Sequence, residues 1–214
     1  MKFLNFVKYR DQDRIASARR AHFAYADRLR EQGNLSVGGP LLDDGGRRIG
    51  LLFIYEAESG SAALTLAQQD PFTLAEALSS YEVTEWRLRG VNIDLLAKAN
   101  RSGDRVAPAG AQVRLFANYA KYAPEKAQLD RARPAHWAYD RILKGAGNLA
   151  LAGPFASDQG GLFVYRAADK EEAMSYARLD PFAVEGVVAQ AEVLEWVVEG
   201  VRTELLTPDF ADSA

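Results

Sequence analysis

Two short stretches hold the side chains best suited to proton chemistry. His22 lies in "RRAHFAY" (19–25) and His136 in "RPAHWAY" (133–139), and these are the only two histidines in 214 residues. An imidazole exchanges protons near neutral pH, so a scarce histidine repeated in one context asks for a reason. Helical spacing puts Ile15, Ala18, Arg19, Tyr25, Ala26 and Leu29 on the face of His22, and Leu129, Arg133, Tyr139 and Leu143 on that of His136. Both settings are apolar, with one arginine a turn before the histidine. Two readings stand: a core histidine satisfied by a backbone carbonyl, or a partly buried acid/base group. Asp70 and Asp180, each opening an Asp-Pro-Phe triplet, are equally two-sided. Asp followed by Pro is a helix N-cap signature. A carboxylate beside a buried imidazole would also raise its pKa against the depression that burial causes, and it has lone pairs enough for both tasks. Tyr25 and Tyr139, one turn after each histidine, are candidates to orient or protonate a ligand, against a packing role.

The elements that must position these residues are written twice. "GNLSVGGP" (33–40) returns as "GNLALAGP" (147–154) at the offset of 114 that separates the histidines. "LFIY" (52–55), "DPF" (70–72) and "EVTEW" (82–86) return at 110, which gives the first copy four extra residues around "DDGGRR". The openings "FLNFVKY" and "VRLFANY" also align at 110, predicting a compensating insertion near "KYAPEK". "KANRSGDRVAPAGA" (98–111) has linker composition, so the expected units are 1–97, a linker over 98–111, a second repeat over 112–203 and a tail over 204–214. Periodicity within a repeat gives a strand, a helix ended by Gly33 or Gly147, a hairpin, a second helix and a last strand. This βαββαβ order is an α+β, ferredoxin-like arrangement with both helices on one face of an antiparallel sheet. The other face needs a cover, and packing the two sheets on each other as an intrachain pseudo-dimer supplies it.

Composition removes several classes. The formal net charge of −3 disfavours a nucleic-acid partner. The absence of cysteine removes disulfides, thiolate nucleophiles and Cys-based metal sites. The opening residues become charged too early for a signal peptide, and no apolar run reaches membrane-spanning length, so a cytoplasmic protein without a membrane partner is expected. One histidine and one aspartate per copy are too few for a typical zinc site, hence no metal is expected, and no phosphate loop or dinucleotide fingerprint occurs. Trp86 and Trp196 read as core or interface. The Gly-Pro pairs at 39–40 and 153–154 read as strand-end geometry or a site of close backbone approach.

An Arg-x-x-His helix, Gly-x-Leu-x-x-x-Gly-Pro, a hairpin, Asp-Pro-Phe and a final Glu-x-x-Glu-Trp-like strand, in that order and twice, resemble the YciI-like (YCII-related) family. The resemblance implies ferredoxin-like repeats in a dimeric α+β barrel, with His22–Asp70 and His136–Asp180 as catalytic pairs beside a cleft. Arg19 and Arg133 match the family's arginine before the histidine, where an anionic group would be held. The implied activity is cofactor-free proton abstraction with elimination or isomerisation, of lyase or isomerase type, on a small anionic cyclic or aromatic-derived molecule. The alternative is a non-catalytic small-molecule binding protein that uses the same pocket. Apart from the ligand, the expected partner is the other repeat, or a second chain in a homodimer. Retention of all three residue types in both copies predicts two equivalent sites. Arg20, where the second copy has Pro134, is the position expected to distinguish them.

Overall fold

The computed structural model describes residues 1–101 and 113–208. The first repeat runs β1 (Lys2–Tyr9), α1 (Gln12–Glu31), β2 (Leu35–Leu42), β3 (Arg48–Glu56), α2 (Gly60–Gln68), α3 (Pro71–Leu74) and β4 (Leu78–Trp86). A short strand β5 (Gly90–Val91) and a helix α4 (Ile93–Ala99) follow. The second repeat runs β6 (Leu115–Tyr122), α5 (Lys126–Gly145), β7 (Leu149–Pro154), β8 (Gly160–Arg166), α6 (Lys170–Leu179), α7 (Pro181–Val184) and β9 (Val188–Trp196), and a 3₁₀ turn spans Thr203–Leu205. No helix among the described residues is long and apolar enough to cross a membrane.

Local chemistry sets the boundaries of the long helices. Asp11 caps α1 by accepting from the backbone N–H groups of Asp13 and Arg14, and Gly33 closes it at φ 77°. Gly147 does the same after α5 at φ 72°, two residues beyond the helix's last residue, Gly145.

All strands belong to one sheet, in the order β4-β1-β3-β2-β9-β6-β8-β7-β5. The two halves therefore join edge to edge in one sheet. Leu41 and Leu42 of β2 pair with Trp196 and Glu195 of β9. On the far side the chain leaving β4 bridges Trp86 to Phe155 and continues as β5 along β7, pairing Gly90 with Ala152. The chain leaving β9 runs along β2 in the same way, with Val197 N–H donating to Pro40 and Glu199 N–H to Gly38. The sheet thus returns on itself, which leaves no long open edge between the halves.

Alternation along each strand divides the apolar residues between two environments. Leu4, Phe6, Leu52, Ile54, Leu115, Ala117, Leu162 and Val164 meet in a central core shared by both repeats. Phe3, Val7, Leu51, Phe53 and Tyr55 face α1 and α2, while Phe116, Phe163 and Tyr165 face the second repeat's helices. The tryptophans latch the seams: Trp86 Nε1 donates to the Gly153 carbonyl at 2.8 Å, and Trp196 Nε1 to that of Gly39 at 3.2 Å. Close approach explains the glycines, since a Cβ on Gly39 would lie 1.9 Å from the Val197 carbonyl oxygen, and one on Gly153 2.0 Å from that of Arg87.

Two sequence expectations change. Lys2 pairs with Trp86 and Leu115 with Trp196, so the opening strands correspond at an offset of 113 and only one extra residue precedes α5. The linker does not begin at 98 either: α4 reaches Ala99 and buries Leu95, Leu96 and Ala99 in the central core, and Arg101 N–H donates to Val198. Leu206, expected in the tail, also joins that core. The expected linker positions 102–111 and tail positions 209–214 lie outside the described residues.

Candidate active site

Each histidine projects from its long helix toward the start of the following one-turn helix. Asp70 ends the approach to α3 and caps it, its Oδ1 accepting from Phe72 N–H at 2.9 Å. The same carboxylate faces His22 Nδ1 at 2.8 and 3.0 Å through its two oxygens. The second repeat reproduces this: Asp180 accepts from Phe182 N–H at 2.8 Å and meets His136 Nδ1 at 2.9 Å through both oxygens. Capping and pairing coexist, and His22, Asp70, His136 and Asp180 are all buried. A carboxylate accepts, so Nδ1 carries the proton and Nε2 is the nitrogen available for chemistry. The rings are clamped flat: Phe72 stacks on His22 at 3.9 Å and 13°, and Phe182 on His136 at 3.9 Å and 14°.

A narrow cleft of about 30 Å³ lies beside His22, between α1 and the sheet, and Arg19, Arg30, Arg48 and Glu199 contribute its charges. A second cleft of about 40 Å³ lies beside His136, with Arg133, Arg89, Asp140 and Tyr122 on its walls. Each cleft borrows a residue from the other repeat, Glu199 into the first and Arg89 into the second. The strand extensions that close the sheet deliver them.

Around His22, Nε2 has no partner among the described residues. Arg30 is bound to Asp27 at 2.7 Å and to the Glu199 carbonyl, and Arg48 pairs with Glu199 at 2.9 Å. Arg19 alone of these three has no ion-pair partner among the described residues.

Around His136 a second carboxylate intervenes. Asp140 Oδ2 stands 3.4 Å from Nε2, so the imidazole lies between two acids. Burial by itself would lower the His136 pKa, but the Asp180 hydrogen bond and the charges of Asp140 and Asp180 outweigh it and raise the value. Burial pushes Asp140 up to about 7, with His136 pulling it down and Asp180 pushing it further up. Its side chain is 20% exposed, but Oδ1 itself is buried and without a hydrogen-bond partner among the described residues, as is the Tyr122 hydroxyl. His136, Asp140 and Asp180 form the one cluster of three potential metal-ligating groups found among the described residues, so the second copy holds more acids than one His and one Asp per repeat implied.

The expected site residues fare unequally. His22, Asp70, His136 and Asp180 come together as pairs, and Arg19 and Arg133 line the clefts. Tyr25 and Tyr139 do not. Their hydroxyls donate to the Leu66 and Tyr176 carbonyls, at 2.8 and 3.0 Å, and tie each long helix to its neighbour instead of facing the cleft. Arg20 is exposed and lines neither cleft, because it sits one residue past the cleft-facing stripe of α1. Asp140, Arg48, Glu199, Arg89 and Tyr122 were not anticipated from sequence. For all but Tyr122 the signal is a difference between the copies: at matching offsets Asp140 replaces Ala26, Asp158 replaces Arg48, and Glu199 replaces Arg89, whereas Tyr122 has its counterpart in Tyr9, which lines the first cleft.

A closed antiparallel α+β sheet with a capped, carboxylate-held histidine in each of two clefts defines the class of protein. The YCII-related domain matches residues 1–87 and 114–197, and the chain belongs to that family. Among solved structures, 5-chloro-2-hydroxyhydroquinone dehydrochlorinase from Burkholderia phenoliruptrix AC1100, in complex with 2,5-dihydroxybenzoquinone, is 34% identical over 42% of this chain and 96% of its own, with a TM-score of 0.37. An anthrone oxidase-like protein is 14% identical over 94% of this chain and 92% of its own, with a TM-score of 0.59. A mutant chlorite dismutase from Candidatus Nitrospira defluvii is 17% identical over 96% and 93%, with a TM-score of 0.56. The last two share the fold. No curated protein matches the chain.

Proposed function

We propose that the chain is two ferredoxin-like repeats forming a dimeric α+β barrel within one polypeptide, and that it is an acid/base enzyme working without a cofactor on a small anionic, cyclic or aromatic-derived molecule. The observation that carries this is the first cleft: His22 Nδ1 is held by Asp70 at 2.8 Å, leaving Nε2 unpartnered beside an arginine, Arg19, that lacks an ion-pair partner among the described residues. Asp70 fixes the tautomer and stabilises the imidazolium that forms when Nε2 takes a proton. Phe72 and Phe53 both stack on the ring, the latter at 5.5 Å and 18°. Arg19 would bind the anionic end and place a carbon-bound proton near Nε2; the C–H electron pair then forms a double bond as a leaving group departs with its own pair in an elimination, or is delocalised until the imidazolium returns the proton to another carbon in an isomerisation.

The test needs no known substrate. Cyclic keto acids and hydroxyquinone-type carboxylates in D₂O would be followed by NMR for exchange of the protons next to the carbonyl. The wild-type chain is expected to accelerate exchange for part of such a panel, and His22→Gln to lower it by ~10² to 10⁴ while the fold survives. Exchange that persists in the combined His22→Gln, His136→Gln variant would remove the histidines from the chemistry. A panel bound at the cleft without any exchange would favour the binding-protein reading.

A further inference from the structure

On the helix and the hairpin the residues around the two clefts differ in one direction, toward acids in the second repeat, while the strand extensions differ the other way, Glu199 entering the first cleft and Arg89 the second. Arg133 is flanked by Asp130 at 3.2 Å and Asp158 at 3.7 Å, and Asp140 approaches His136 Nε2. At the matching positions of the first repeat stand Ala16, Arg48 and Ala26. The arginine that is free to meet an anion in the first cleft is therefore already neutralised in the second, and a third carboxylate stands where an incoming anion would meet the imidazole. Like charges at close range oppose such a ligand. The same wall also carries two buried polar atoms without hydrogen-bond partners among the described residues, Asp140 Oδ1, which accepts, and the Tyr122 hydroxyl, which burial above all keeps protonated and able to donate.

We propose that the two clefts take ligands of different charge: the first an anion held by Arg19, the second an uncharged hydroxyl-bearing molecule that donates to Asp140 and accepts from Tyr122. The first half rests on the reading of Arg19 given above, while the second stands on the geometry around Asp140. A metal ion fits the second cleft poorly. His136, Asp140 and Asp180 each bring one ligand atom within 4.8 Å of the others, but Asp180 is already engaged by Phe182 N–H and His136 Nδ1, and Arg133 and Arg89 line the approach. Asp140 is thus the residue that sets specificity between the clefts.

Benzoate and phenol, two rings of similar size and different charge, are suitable probes at pH 7.5. Imidazole signals of the full chain would be assigned with His22→Gln and His136→Gln, and each probe titrated by NMR. Benzoate is expected to move the His22 signals with a Kd about tenfold or more below its value at His136, and phenol to move those of His136. Asp140→Asn removes charge and keeps shape, so it should tighten benzoate at His136 about tenfold and leave phenol nearly unchanged. Asp140→Ala should weaken phenol about tenfold, with Asp140→Asn as the folded control. Equal benzoate affinity at both histidines, no response of His136 to phenol, or a benzoate affinity indifferent to Asp140→Asn would overturn the proposal. If benzoate moves neither histidine, the anion reading of the first cleft falls, while the phenol titration still decides the second.

Discussion

Neutralising Asp140 should stabilise the protein above neutral pH, against the usual cost of altering a buried polar residue. In the folded chain this carboxyl is raised from 3.8 to about 7, by burial first and by the charge of Asp180, with His136 opposing. A carboxyl whose folded pKa exceeds its unfolded value binds more protons when folded, so its contribution to stability falls as pH rises between those two values. His136, also raised, acts with the same sign from about pH 6.5 upward. Moving one carboxyl that far is worth at most about 4 kcal/mol. The 20% exposure of the side chain and its attraction to the imidazolium reduce this, and about 2 kcal/mol is the expected size. Asp140→Asn and wild type should therefore be equally stable near pH 4, and the variant should gain progressively to about 2 kcal/mol by pH 8. Urea unfolding at several pH values, with matched m-values, measures the difference and cancels the groups not coupled to Asp140, the contribution of His136 remaining in it. A difference that does not change with pH, or a variant less stable at pH 8, would mean that the ionised carboxylate is well accommodated and that the electrostatic account of the second cleft is wrong.

Asp70→Asn keeps a residue that can cap α3 but removes the carboxylate from His22 Nδ1. Proton exchange should fall by ~10² or more, with a loss of stability of about 1–3 kcal/mol, read by kinetics and urea unfolding together. Gly39→Ala drives a Cβ into the Val197 carbonyl and should cost about 3 kcal/mol or abolish folding, whereas Gly33→Ala, with open space and only a positive φ to bear, should cost about 1 kcal/mol. Trp86→Phe leaves the Gly153 carbonyl without its indole donor and should lower thermal stability by about 2 kcal/mol without moving the His22 signals, since the seam is distant in the chain from that site.

Much of this architecture is legible in the sequence because it rests on local and periodic signals. Gly33 and Gly147, the Asp-Pro-Phe caps and the apolar run "LFIY" each specify their own surroundings. The closure of the sheet was not legible. β2 and β9 are joined by two registered pairs, and β5 is two residues long, so no hydrophobic pattern announces them. The offset of the first strand was misread because "FLNFVKY" and "VRLFANY" match by side-chain type at a slipped register, which pairing corrects by three residues. His22 and Asp70 were identifiable, but the pairing needed the family pattern, since 48 residues separate them. Tyr25 and Tyr139 failed for a simple reason: one turn along a helix fixes the face, not whether a hydroxyl finds a backbone carbonyl first.

Closure across repeats also explains how the clefts can differ. Two identical single-repeat chains related by a twofold axis would carry identical side chains in both clefts, so a carboxylate introduced beside one histidine would appear beside the other. Joining the repeats in one chain removes that constraint, and the differences fall where they act on the clefts: Ala26 against Asp140 on the helix, Arg48 against Asp158 on the hairpin, Glu199 against Arg89 on the extensions. The last pair is reciprocal. Glu199 travels from the second repeat to bind Arg48 in the first cleft, and Arg89 travels from the first repeat to the wall of the second. Ala26→Asp should accordingly carry the second cleft's character into the first: the new carboxylate would stand one helical turn from His22, weaken benzoate there about tenfold, and leave the response at His136 unchanged. An undiminished benzoate affinity at His22 would show that the carboxylate at this position does not govern the choice of ligand.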